Sequence, residues 1–471
     1  MKTECKTKQI KLQGLGRREV IGQFNGGMIT SDGGGLLLRE TEQRVRIVER
    51  FSQCFTDLRN QASIEHTVFQ LVSQRVYGLA LGYEDLNDHD MLRSDLLLAV
   101  LCEKEDPTGS NRKCFRDKGK ALAGKSTLNR LELTCPDAGK KSRYKKIICH
   151  SEKIDDVFVD IFLESYTKEP DRIILDLDAT DDPLHGKQEG RFFHGYYKEY
   201  CYLPLYLFCG DHLLCARLRP SNIDAAEGST KELERIVDRI RLRWPDVKIL
   251  IRADSGFCRE EIMHWCEENG VGYILGLAKN NRLNTVIKED LVDAEIMYRK
   301  TGRSSRIYHD FFYQTLKSWS KTRRVVGKAE YLQKGANPRF VVTSIPQDEM
   351  NSDDLYEKLY CARGEMENRI KEQQLYLFAD RTSTSKMRSN QIRLYFSSIA
   401  YLLLNALRQF GLKGTQMAKA QCHTIRLKLL KVGAQISVTV RKVWISLAES
   451  YPFRDIFIQV FKNIKKIPMF A

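Results

Sequence analysis

Two stretches of this chain end in the same way. "DRIILDLDATDD", from Asp171, and "VKILIRADSGF", from Val247, are apolar runs that close on aspartate. Alternate side chains of a strand share a face, so Asp176 and Asp178 lie on one side of the first strand. A carboxylate at the end of an apolar strand needs a reason, because burying it unpaired is costly. One reason is local: a turn or N-cap aspartate, helped by Asp181, Asp182 and Pro183. The other is a metal ligand at the edge of a sheet, in which case Asp178 and Asp254 are the pair to consider, with Asp176 the alternative to Asp178.

The segments between and after these strands restrict the fold further. Two apolar runs in "YCYLPLYLFCGDHLLCARLRPS" flank Gly210-Asp211, a hairpin signal. Asp224 to Trp244 has helical periodicity through Leu233, Ile236, Ile240 and Leu242, "REEIMHWCEENG" predicts a helix with a glycine stop, and "VGYILGLAKN" predicts another strand. The order strand, strand, strand, helix, strand, helix, strand matches the ribonuclease-H-like α/β fold, a mixed sheet flanked by helices. In that fold the ends of the first and fourth strands are neighbours, which would bring Asp178 and Asp254 together.

A third carboxylate comes from "DDLYEKLYCARGEMENRIKEQQLYLF", Asp353 to Phe378, which predicts a long helix. At about 100° per residue, Leu355, Leu359, Ala362, Met366, Ile370 and Leu377 form one apolar stripe. Tyr360, Arg363, Glu367, Lys371 and Gln374 fall on an adjacent one. Alone, this second stripe is a solvated face with weak i,i+4 ion pairs. With the two aspartates, Glu367 completes a minimal oxygen cage for two Mg²⁺ (or Mn²⁺) ions. Three converging carboxylates repel one another without cations. Two ions ~3.5–4 Å apart clamp the attacking and leaving oxygens of an in-line phosphoryl displacement. Arg363 and Lys371 are then placed to hold phosphates.

Charge agrees with a polyanionic partner. The chain carries 76 Lys and Arg against 61 Asp and Glu. From Asn111 to Lys146 twelve basic residues face three acids, and from Arg408 to Lys442 eight face none. Within the first stretch, "GKALAGKST" fits the phosphate-loop pattern at Gly119, Gly124, Lys125 and Ser126. The preceding residues "GSNRKCFRDKGK" cannot form the buried strand such a loop requires. The match reads instead as a basic loop entering a short helix capped by Ser126 or Thr127, with no nucleotide cofactor. Thirteen scattered cysteines without a C-x-x-C pair suggest reduced thiols rather than zinc or redox sites. The absence of a long apolar run and of an apolar leader predicts a cytoplasmic protein without a membrane partner.

At the three carboxylates the sequence resembles DDE transposases of bacterial insertion sequences, in the insertion sequence 4 superfamily and most like the insertion sequence 1380 family. The superfamily signature Y-(2)-R-(3)-E-(6)-K is met by Tyr360, Arg363 and Glu367; its last position is Gln374 here, which leaves Lys371 or Lys386 to supply the charge, or the activity reduced. "LDLDATDDPLHGKQEGRFFHGYYKEYCYLPLY" and "IRADSGF" are similar to the family blocks around the first two aspartates, and Ala179-Thr180 favours Asp178 over Asp176. The similarity runs from about Ile29 to the C-terminus.

The resemblance implies a ribonuclease-H-like catalytic core over residues 166–284 and 345–410, interrupted by a β-rich insertion at 285–344 that touches the transposon end. Within that insertion, Trp319, Arg323 and Arg324 are candidates for stacking on a base and for backbone contacts, although aromatics there are more often the core of a small sheet. Residues 1–165, mainly helical, are implied to bind the terminal inverted repeats, and the basic helical region 411–471 to pack near DNA or a partner subunit. The implied activity is metal-dependent cleavage and strand transfer on double-stranded DNA, both transposon ends and target, by at least a homodimer assembled on DNA, in a nucleoid-associated bacterial protein. The alternatives are a ribonuclease-H-like nuclease without strand transfer and a transposase-derived DNA-binding protein that no longer cuts.

Overall fold

The structure is a computed structural model that describes residues 9–469. The chain divides into two compact units, Ser151–Ser398, and Met1–His150 with Ile399–Ala471.

The unit Ser151–Ser398 is α/β and is organised by a nine-stranded mixed sheet. Its strands are β1 (Arg172–Ala179), β2 (Leu205–Cys209), β3 (His212–Arg217), β4 (Lys248–Ala253), β5 (Gly272–Leu277), β6 (Ser305–Tyr313), β7 (Arg323–Leu332), β8 (Gly335–Ala336) and β9 (Arg339–Thr343). They lie in the order β3-β2-β1-β4-β5-β9-β7-β6, with β8 against the end of β7. β1, β4 and β5 are mutually parallel neighbours; β2 runs antiparallel to both β1 and β3. The strands expected as an insertion therefore continue the central sheet, because β9 pairs antiparallel with β5. They are also preceded by two helices, Asn281–Val286, which runs into the start of the stretch expected to be β-rich, and Lys288–Thr301, which lies inside it. The second is built from good helix formers and stops at Gly302, which takes φ +66°.

Strand parity divides the core. Ile173, Leu175 and Leu177 of β1, with Ile249, Ile251 and Ala253 of β4, face a cluster that includes Val159, Phe162, Leu233 and Ile236 from the helices Ser151–Glu164 and Ser229–Arg243. Ile174, Leu250 and Ile274 face the other way, against Leu355, Tyr356 and Leu359. Those three residues open the expected long helix, which spans residues 352–376 but is not uniformly α-helical. Leu355–Tyr360 and Glu372–Tyr376 are π-helical, flanking the α-helical Gly364–Lys371. Each wide turn shifts the phase of a 3.6-residue stripe, and Ala362, assigned to the apolar stripe by periodicity, is exposed.

In the other unit the clearest helix is Val68–Leu81. Thr67 and Gln70 form a capping box at its start, and Gly82 ends it at φ +98°. Arg426 donates to the carbonyls of Leu79 and Ala80, and Lys431 Nζ lies 2.6 Å from Asp32, so the two ends of the chain share one unit. The C-terminal region is not purely helical as expected. Ala434–Val438 and Val443–Leu447 form a hairpin beside Met28–Thr30, with Ala434 and Ile436 buried and Gln435 and Ser437 exposed. That alternation, with β-branched residues, favours a strand over a helix. The segment that mimics a phosphate loop has no strand before it. Its helix, Lys125–Leu133, is capped at Gly124 rather than Ser126 or Thr127, and the Lys125 N–H donates to Asp90. Among the described residues, no helix is long and apolar enough to cross a membrane.

Candidate active site

The parity that buries Ile173, Leu175 and Leu177 on one face puts Asp176 and Asp178 on the other, the face covered by the helix over residues 352–376. Asp254 follows β4 directly and caps a short turn, its Oδ1 accepting from Gly256 N–H at 2.8 Å. Glu367 stands on the α-helical segment Gly364–Lys371. Asp178, Asp254 and Glu367 thus line one cavity of about 630 Å³, with Arg363, Lys371 and Gln374. Sequence separations of this size carry no spatial information; the parallel pairing of β1 and β4 closes the gap between the aspartates.

The two aspartates of β1 have different fates. Asp176 is buried and held bidentately by Arg252 at 2.5 and 2.8 Å, its register partner on β4. Asp178 lines the cavity. Burial pushes its carboxyl up to about 7; Arg363 opposes that shift, and the neighbouring Asp254 and Glu367 add to it. Arg363 lies between carboxylates, 3.6 Å from Asp178 and 2.9 Å from Glu367. A cation of some kind is therefore accommodated here. Asp178, Asp254 and Glu367 are hard oxygen donors and fit a divalent ion in kind. As they stand, however, no group of three or more His, Cys, Asp or Glu among the described residues is close enough to hold one. Arg363 is the group that intervenes.

The remaining expected site residues separate into two sets. Lys371 and Gln374 reach the cavity, and Gln374 Nε2 donates to the Asp181 carbonyl at 2.9 Å, steadying the loop that follows Asp178. Tyr360 packs beside Tyr356 and approaches Gly276 so closely that a Cβ there would meet its hydroxyl at 2.5 Å and Ser255 N at 2.8 Å. Only glycine at that point of β5 lets Tyr360 and the Asp254 turn sit where they do. Lys386 lies by Glu189, at 3.9 Å, and does not line the cavity.

Trp319, Arg323 and Arg324, expected to contact DNA, are instead built into the sheet. Trp319 is 6% exposed and packs edge-on to Tyr313, with Arg323 over its ring. Arg323 is spent on Glu260 and Glu267 of the helix Glu260–Glu268. Arg324 is spent on Asp310 and the carbonyls of Ile345 and Met350. Buried arginines with every direction satisfied by carboxylates and carbonyls clamp the sheet to its neighbours rather than present charge. This is the core role that aromatics in such a stretch more often have.

Sequence reasoning passed over Gly276, and over the aromatic group His194, Tyr196 and Tyr197 on the cavity wall. His194 stacks on Tyr197 with centroids 4.9 Å apart, and Tyr196 is 83% exposed. The signal was present as "FFHGYY", four aromatics and a histidine within six residues.

Among curated proteins nothing matches. A solved structure described as the piggyBac transposase synaptic complex with hairpin DNA is 13% identical, covers 85% of this chain and 80% of its own, and has a TM-score of 0.41. A family profile described as transposase DDE domain group 1 matches residues 12–469. The match spans nearly the whole sequence, and the chain belongs to that DDE transposase family.

Proposed function

We propose that this chain cuts DNA at the ends of a mobile element and joins the freed 3′-hydroxyl to a target, with Asp178, Asp254 and Glu367 as the three carboxylates of the reaction. The observation that carries the reading is the shared cavity: two strand ends and one helix, far apart in sequence, deliver all three to it. The strand order β3-β2-β1-β4-β5, with β2 antiparallel and the others of the central trio parallel, supports a ribonuclease-H-like core. The signature at Tyr360, Arg363 and Glu367 supports placement in the insertion sequence 4 superfamily, nearest the insertion sequence 1380 family.

Divalent cations, two Mg²⁺ or Mn²⁺ in this reading, supply Lewis-acid polarisation of the phosphoryl oxygens and a nucleophile at neutral pH. Asp178, Asp254 and Glu367 would hold them. The chain's own groups do the rest. Asp178, whose carboxyl burial pushes up to about 7, would have to be deprotonated to serve as a ligand. Arg363 exchanges its contact with Glu367 for a phosphate of the bound strand, and Lys371 holds a neighbouring phosphate. Gln374 fixes the Asp181 carbonyl and so the backbone after Asp178. The protein would act as at least a dimer on double-stranded DNA, in the cytoplasm of a bacterium.

The test is cleavage of DNA bearing the inverted repeats that flank the gene, without ATP. Mg²⁺-dependent nicks at the repeat boundary that vanish in Asp254→Asn and Glu367→Gln, with binding retained, support the reading. Repeat-specific binding without cutting in Mg²⁺ or Mn²⁺ contradicts it. That outcome would favour a transposase-derived binding protein, for which Gln374 and the Arg363–Glu367 contact are the structural hints.

A further inference from the structure

Arg363 occupies the place that a divalent ion would need. Its guanidinium stands 3.6 Å from Asp178 and 2.9 Å from Glu367, two of the three carboxylates that line the cavity with Asp254. A guanidinium holds carboxylate oxygens at about 2.7–3 Å, whereas a divalent ion draws them in to about 2.0–2.6 Å. Among the described residues no three such groups are close enough to share an ion. Closing the carboxylates on a metal therefore requires Arg363 to leave.

The contacts that hold Arg363 are of a kind readily given up. Its pair with Glu367 spans one helical turn, and the glutamate end is 44% exposed, a pairing that is weak in water. Toward Asp178 the separation exceeds a hydrogen bond, and Nη1, the atom that faces it, is buried without a hydrogen-bond partner. A buried donor left unpaired is costly, so the inward position carries an unmet demand that a phosphate oxygen satisfies. Lys371 adds a second charge to the same cavity, and no carboxylate pairs with it among the described residues.

We propose that Arg363 is an autoinhibitory plug: without DNA it stands in for the metal and keeps the carboxylates apart, and a strand phosphate that draws it outward opens the site to the ion. That the two ligands are a divalent ion and a DNA phosphate rests on the reading above; the position of Arg363 between the carboxylates does not. Metal and DNA then bind with positive coupling, each tightening the other by the same factor. Metal-assisted cleavage is withheld until the chain has met its substrate.

The experiment follows Mn²⁺ binding to the full chain through the electron paramagnetic resonance of the free ion. It is run with and without a duplex that ends at the repeat boundary and lacks its terminal 3′-hydroxyl, the duplex alone serving as blank. Without DNA, Arg363→Met is expected to bind Mn²⁺ at least about tenfold more tightly than wild type. Lys371→Met, which removes the same charge from the same cavity, should tighten binding by no more than about threefold. Arg363→Lys, which keeps the charge but not the planar fork, should fall between wild type and Arg363→Met. Saturating duplex should tighten Mn²⁺ binding to wild type roughly tenfold or more and leave Arg363→Met within about threefold of its DNA-free value. Thermal melting confirms that the variants are folded. Arg363→Met no tighter than Lys371→Met, or coupling undiminished in Arg363→Met, would overturn the proposal. So would wild type whose Mn²⁺ affinity is the same with and without saturating duplex, a result that depends on no variant. Failure to bind the duplex, with Arg363→Met still tight for Mn²⁺, would count against the transposase reading alone. No saturable Mn²⁺ binding in any form would overturn the three-carboxylate reading and the plug with it.

Discussion

In the carboxylate cavity each acidic side chain is delivered by regular structure: Asp178 and Asp254 by adjacent parallel strands, Glu367 by a helix whose other side is core. Residues 1–165, which the resemblance implies bind the terminal inverted repeats, hold a basic cavity of about 670 Å³ in which most of the cations come from irregular segments, over residues 59–66, 112–120 and 143–146, with Arg130 on a nine-residue helix. The first arrangement fixes a few groups to within the tolerance of a chemical step; the second spreads charge over a wall on which no single residue decides the outcome. Loss of one group should therefore be ruinous in the first and gradual in the second.

The largest expected difference is in rate. Asp254→Asn or Glu367→Gln should lower cleavage by a factor of about 10³ or more, equivalent to roughly 4 kcal/mol of barrier, and leave duplex affinity within about twofold. Arg143→Gln alone should do the reverse, cutting at a near-normal rate once DNA is saturating and weakening affinity only a few-fold. Gel assays at saturating duplex and anisotropy titrations read the two quantities separately. A basic-cavity single variant that abolishes cutting at saturation would break the comparison.

The next contrast lies within β1. Asp176→Asn leaves Arg252 buried beside a neutral partner and should destabilise the unit by about 3–5 kcal/mol, read from urea unfolding. Asp178→Asn should be neutral or stabilising in EDTA, because it removes a carboxylate whose charged form burial disfavours. The pH dependence follows with a definite sign. The folded-state pKa of Asp178 is raised from 3.8 to about 7, so the native form binds the proton more tightly than the unfolded chain. Its contribution to stability is greatest below about 4, declines as pH rises between about 4 and 7, and is fully lost above. The total loss has an upper bound of about 4 kcal/mol. Asp178→Asn should flatten that part of the stability profile.

Two smaller effects refine the account of the site. Gly276→Ala places a methyl against Tyr360 and the Ser255 N–H and should cost about 1–3 kcal/mol, with slower cutting because the Asp254 turn is displaced. Gln374→Lys restores the residue of the resembled signature and should change the cutting rate only a few-fold, since Gln374 already bonds the Asp181 carbonyl.

Much of this was legible in the residues themselves. Apolar runs ending in aspartate predicted β1 and β4, Gly210 predicted the β2–β3 hairpin, and helical periodicity predicted the segment bearing Glu367. What parity could not give was the choice between Asp176 and Asp178. Both share a face, and only the register partner Arg252 shows that one is neutralised in an ion pair. Trp319, Arg323 and Arg324 misled for a related reason. A basic and aromatic stretch reads alike on a surface or in a core, and the acids that absorb Arg323 lie on a helix far away in sequence. The π turns around Glu367 leave no sequence signature, so the apolar stripe was drawn through the exposed Ala362. The C-terminal hairpin is visible as the alternation of Ala434 and Ile436 with Gln435 and Ser437, a pattern the expectation of a helical region did not use.

The most direct test of the carboxylate cavity is a calorimetric titration of the full chain with Mn²⁺, without DNA, at pH 6 and pH 8. The account predicts saturable binding that tightens from pH 6 to pH 8 as Asp178 loses its proton, and that weakens at least about tenfold in each of Asp178→Asn, Asp254→Asn and Glu367→Gln. No saturable binding at either pH, or binding indifferent to all three substitutions, would contradict the assignment of these carboxylates as a metal site.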